Sequence, residues 1–148
     1  MLAKYKEYTA MQNDIIEVFE GFSNDLGIAF SYGNKANQNL LQSDMVADKV
    51  YLLLDPVNRS SPSSEFGGLG VTVFTGSFLL AVKSTIDQVY EDKYKENIKP
   101  LISNQLEDLK SLFNCDAYQI TGWSYIDGIN LLDINLDGLV VTYTISIL

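Results

Sequence analysis

The chain has 148 residues, 47% of them hydrophobic, and a mean hydropathy of +0.04, which predicts one globular domain spanning residues 1 to 148 rather than a disordered or membrane-embedded chain. Nineteen acidic residues against ten basic ones give a net charge of −9, with the lysines scattered among acids, which argues against a module that grips DNA through its phosphates. There is no histidine and only one cysteine, Cys115, so the commonest general base is missing and no internal disulfide can form.

In chain order, residues 3 to 24 predict a first helix. Tyr8, Met11, Ile15, Val18 and Phe22 recur three and four apart, widened by Ile16 and Phe19. Its start, MLAKYKEYTA, carries charge where a signal peptide would be apolar, so export is not expected. Residues 25 to 47 predict a long polar connection with an apolar island at Ile28 to Phe30. DKVYLLLDPV, residues 48 to 57, predicts a strand, and its unbroken apolar run predicts burial on both faces.

Residues 58 to 70, NRSSPSSEFGGLG, predict a loop or flexible arm. Its FGGLG lacks the spacing and lysine of a phosphate loop. Residues 71 to 84 predict a long strand with a bend or bulge at Gly76. Residues 85 to 113 predict a helical pair split at Lys99-Pro100, because proline disfavours helix at the residue before it. The second half carries the stripe Ile98, Leu101, Ile102, Leu106, Leu109, Leu112 and Phe113. The first half is more charged, with Ile86, Val89, Tyr90 and Tyr94 as its apolar edge, and is expected outermost. Cys115 reads as a small buried hydrophobe. A strand at 116 to 126, a DGIN turn and a last strand at 138 to 147 complete the order. The expected class is α+β: a mainly antiparallel sheet of about four strands, with the N-terminal helix and the Pro-split helical pair packed on it.

One motif imitates a metal site. Asp133, Asn135, Asp137 and Gly138 match the opening of an EF-hand, but the twelfth position is Thr144, where calcium needs a bidentate Glu. A β-branched run follows instead of a helix, so the motif reads as an alternating strand with Asp-Gly as the turn into the last strand. No catalytic residue, cofactor or metal ligand is assigned. Nine tyrosines, Trp123 and Phe66 suit a surface buried against another protein, and the polar-aromatic strands YQITGWSY and TYTIS would be edge hazards unless covered, which favours a protein that assembles.

Four stretches, FSYGNKANQN (30 to 39), VYLLLDPV (50 to 57), FTGSFLLAVKS (74 to 84) and LDGLVVTYTI (136 to 145), give the chain a resemblance to the tail terminator or head–tail joining proteins of tailed bacteriophages. The resemblance spans the chain by element order rather than by a signature motif. It implies a non-enzymatic virion protein, assembled in the host cytoplasm as a ring, a hexamer in that family. The ring would cap the tail tube protein and dock the head-side connector or stopper, without cofactor or membrane. DNA would pass through an acidic lumen without specific binding, in keeping with the −9 charge. On this reading Arg59, Glu65 and Phe66 in the arm, and Asn34, Asn37 and Asn39 in the preceding connection, are candidate interface residues. The alternatives are another neck, head-completion or baseplate subunit, and a small calcium- or ligand-binding module.

Overall fold

The computed structural model describes residues 14–33, 45–61, 71–84, 87–131 and 135–148. Helix α1 covers Ile15–Asp25. Asp14 begins it in an extended conformation and accepts a hydrogen bond from the Ile16 N–H, 3.2 Å, while Glu17 places negative charge in the first turn. Gly27, at φ 70°, ends it: Ile28 N–H donates to Ser23 O and Gly27 N–H to Asn24 O, a closure that needs a left-handed residue. The expected helix over 3 to 24 is therefore seen from Ile15 onward, and its earlier part lies outside the described residues.

Among the described residues six strands form one mixed sheet: β1 (Ala29–Tyr32), β2 (Val50–Leu54), β3 (Asn58–Ser60), β4 (Thr72–Lys83), β5 (Tyr118–Leu131) and β6 (Leu136–Ile147). The order is β1-β2-β4-β6-β5, with β3 also on β4. β1 and β2 run parallel and every other pair antiparallel. The α+β class holds, but about four strands were expected. β1 falls inside the predicted polar connection and β3 inside the predicted arm. Both are short, and neither AFSY nor NRS has a run long enough to announce a strand; pairing with β2 and β4 supplies the pattern.

β2 is buried from Tyr51 to Leu54, as its continuous apolarity requires. Leu52, Leu80 and Leu139 stand in one row across the helix-facing side, and Leu54, Phe78 and Val141 in the next. α1 lays Ile15, Val18 and Phe19 on this side, and Phe19 meets Phe78, Phe113 and Tyr143 with ring centroids 5.1–5.3 Å apart. Gly76 makes no bulge. Its register with Tyr143 is unbroken, and its missing side chain leaves room for the Tyr143 ring.

The helical run does not break at proline. It passes from a short α-helical turn, α2 (Tyr90–Lys93), through wide π turns at Tyr94–Ile98 and Leu101–Leu106, into α3 (Glu107–Leu112). Pro100 has no N–H to give and its ring crowds the carbonyl four residues back; widening the helix on either side accommodates both. The wide turns also change which residues face inward. Lys93 and Ile98, and then Leu101 and Leu106, are buried at intervals of five residues instead of three or four. Two further expectations fail at the C-terminal hairpin. β5 runs through DGIN to Leu131, with its register shifting between Gly128 and Leu131, so DGIN is not the turn. Asp137 and Gly138 lie inside β6, opposite Val82 and Ala81; Asn135, at φ 59°, belongs to the turn that precedes it.

Candidate functional site

Two features stand out, one inside the fold and one on its surface. The interior feature is built where the five-residue step turns Lys93 toward the sheet. Its side chain and that of Asp137 on β6 are both fully buried, with Lys93 Nζ 3.3 and 3.2 Å from Asp137 Oδ1 and Oδ2. The amine also donates to Ser84 Oγ at 2.7 Å and to Asn130 Oδ1 at 3.1 Å. Asn97, one helical turn beyond Lys93, donates through Nδ2 to Asp137 Oδ2 at 2.9 Å, and the Asn130 N–H donates to Asp137 Oδ1 at 3.2 Å. Burial alone would raise the Asp137 carboxyl. The hydrogen bonds from Ser84, Asn97, the Asn130 backbone and Lys93 outweigh it and hold the group below the ordinary carboxylate range.

This arrangement accounts for one of the calcium-like letters, Asp137. The carboxylate of Asp137, the amide oxygen of Asn130 and the hydroxyl of Ser84 converge as they would on a cation, and the cation is the protein's own ammonium. Asp133 lies outside the described residues, and among the described residues no three His, Cys, Asp or Glu side chains cluster to hold a metal. Reading residues 85 to 97 as an outer helix missed this site. Of its expected apolar edge, Val89, Tyr90 and Tyr94 are exposed and Ile86 lies outside the described residues, while the charged Lys93 points inward. Tyr90 instead ties the helix to β5 by donating its hydroxyl to Asp127, which raises the phenol above its ordinary value.

The surface feature is the sheet's far edge. β5 is an outermost strand of fourteen residues, and among the described residues no strand pairs with its free side. It carries one charged side chain, Asp127, and exposes Tyr125 and Ile126, the latter 69% accessible. On the side away from the helices, β6 and β4 continue this neutral surface with Val140, Thr142, Thr144, Thr75 and Ser77. Charge gathers on the other side: Glu17 and Glu20 on α1, and Glu91, Asp92, Glu96, Glu107 and Asp108 on the helical run, are all exposed. YQITGWSY thus lies on an edge, as expected, whereas TYTIS belongs to β6, a central strand whose Tyr143 is fully buried.

Of the residues expected at an interface, only Arg59 is among those described; Asn34, Asn37, Asn39, Glu65 and Phe66 lie outside them. Arg59 stands on β3 rather than in a loop, and its Nε donates to Asp14 Oδ2 at 2.6 Å, joining the third strand to the N-cap of α1. Burial raises the Asp14 carboxyl, but the Arg59 hydrogen bond and the N–H of Ile16 outweigh it and lower it below its usual value. Cys115 is exposed, not buried. It follows Phe113 and Asn114 in the turn between α3 and β5, where Phe113, not Cys115, enters the core. No helix among the described residues is long and apolar enough to cross a membrane. No protein-family model matches the chain, and no curated protein matches it either.

Proposed function

We propose that the chain is a single-domain structural subunit of a tailed-phage neck, a tail terminator that assembles into a ring on the head-proximal end of the tail tube and joins it to the head connector. The observation that carries this reading is the long, nearly uncharged β5 edge. An unpaired edge strand is a template for another chain, and monomeric proteins blunt such edges with lysine, proline or brevity. β5 has neither residue type over its fourteen positions. In a chain of net charge −9, a second acidic copy can approach closely only through a neutral surface.

Edge geometry also bears on symmetry. β5 against β5 would be a self-complementary contact and would close as a twofold dimer. A ring needs β5 of one protomer to meet a different surface of the next. The residues expected at the contact, Arg59, Glu65 and Phe66 with Asn34, Asn37 and Asn39, would supply that second surface or the contact with the tube. The exposed acidic helices would face solvent or the DNA path, where like charge keeps phosphate from adhering. The role is mechanical, in the virion, and uses no cofactor. The test is to add the full-length chain to polymerising tail-tube protein encoded in the same genome and to image the tubes. Growth should stop, with a ring on one end of each tube; tubes that lengthen unchecked would overturn the reading.

A further inference from the structure

The buried cluster holds the parts of a covalent crosslink. We propose that Lys93 and Asn130 form an intramolecular isopeptide bond, with Asp137 moving the protons. The inference stands independently of the role in the phage neck.

Three observations carry it. The Lys93 amine is fully buried and 3.1 Å from the Asn130 amide oxygen. Asp137 holds both partners at once, touching the amine with both carboxylate oxygens and accepting the Asn130 N–H. Asn130 itself stands in the left-handed region, with φ 51°, within the irregular stretch of β5 between Gly128 and Leu131. Residues held in such conformations cluster at functional sites. The two reacting groups are thus fixed against each other by the fold, which removes most of the entropic barrier to joining them.

The reaction is an amide exchange and needs no oxidant or co-reactant. In the first step a proton passes from Nζ to the Asp137 carboxylate, whose oxygens lie 3.3 and 3.2 Å away, against the hydrogen bonds that favour the carboxylate, leaving a neutral amine beside a carboxylic acid. A turn of the Asn130 amide about its last torsion, which is broad for terminal amides, presents Cγ to Nζ. The amine attacks Cγ, and Asp137 protonates the amide oxygen as the tetrahedral carbon forms. Asp137 then relays a proton from Nζ to Nδ2, collapse breaks the Cγ–Nδ2 bond, and the nitrogen leaves as ammonium, taking the hydroxyl proton as its fourth. Asp137 ends as the carboxylate, and Nζ and Cγ are joined by a new amide. Ser84 Oγ, 2.7 Å from Nζ, and Asn97, on Asp137 Oδ2, hold the amine and the carboxylate in place. Asn130 as a residue is exposed, which gives the ammonium a path to water. The product would clasp the helical run to the β5–β6 hairpin.

The test is the intact mass of the folded, full-length chain, measured after denaturation, with a peptide map. The expected mass is below the sequence mass by one ammonia, with the Lys93 and Asn130 peptides joined in one branched species. Lys93→Arg and the more exposed Asn130→Ala should both show the full sequence mass, and either suffices if the other does not fold. Asp137→Asn should slow bond formation about a hundredfold or more. An unmodified mass in aged wild-type protein would overturn the proposal. So would loss of one water, which would make Asp137 the acyl donor, or an ammonia deficit that survives in either crosslink variant.

Discussion

Gly138 on β6 lies so close to β4 that a side-chain carbon on it would stand 2.1 Å from the Leu80 carbonyl oxygen. The contact is with the β4 backbone at Leu80 and Ala81 and with the Ala81 methyl, so no flexible side chain can yield. Gly138→Ala must push β4 and β6 apart beside Asp137. It should cost about 3 kcal/mol or more, at the upper end for overpacking. Urea denaturation checks this; a cost under about 1 kcal/mol would show that the strands do not meet at this distance.

A second close approach is softer. A carbon on Gly76 would lie 2.9 Å from the Tyr143 hydroxyl oxygen, at the far end of a ring. That hydroxyl is buried with no hydrogen-bond partner among the described residues, and burial pushes the phenol far above its ordinary titration range. Tyr143→Phe removes an unsatisfied polar group and should leave stability unchanged or raise it by about 1 kcal/mol. Gly76→Ala should be destabilising in the wild-type chain and distinctly less so in Tyr143→Phe. Additive effects in this double-mutant cycle would contradict the contact.

The Asp14–Arg59 pair gives a pH dependence of known sign. Asp14 is lowered in the folded chain, so its contribution is full above the ordinary carboxylate value and is lost as pH falls through the lower, folded value. Both side chains are partly exposed, and the pair is therefore worth no more than about 1 kcal/mol. Asp14→Asn keeps the N-cap and removes the charge: it should lower stability at neutral pH by that amount and converge with wild type in acid. Asp14→Ala also loses the cap, and should lie about 1 kcal/mol lower still at every pH. Parallel wild-type and Asp14→Asn curves throughout would contradict the assignment.

Much of this architecture can be read from residue patterns, and the failures have identifiable causes. α1, β2, β4 and the helical stripe of Leu101, Leu106 and Leu109 follow from apolar period and run length. The Asp-Gly pair misled because glycine serves two purposes. At 138 it permits a close approach of strands, not a turn. The Lys93 site was hidden for two reasons. Its partners Ser84, Asn130 and Asp137 are 9, 37 and 44 residues away, and only the fold joins them. The helix around Pro100 also departs from the 3.6-residue period that makes inward faces legible. A stripe drawn with five-residue steps on either side of Pro100 would have placed Lys93 on the buried side.

Assembly through β5 is the central claim, and a native mass spectrum of the full-length chain beside its Ile126→Lys variant tests it most directly. Ile126 is highly exposed, so the substitution should change the stability of the isolated subunit by no more than about 0.5 kcal/mol. It also places charge on the edge that another copy would meet in the proposed ring. The wild-type chain should give one defined ring mass, and Ile126→Lys should give a folded monomer. A wild-type chain that stays monomeric, or a ring indifferent to Ile126→Lys, would contradict the account.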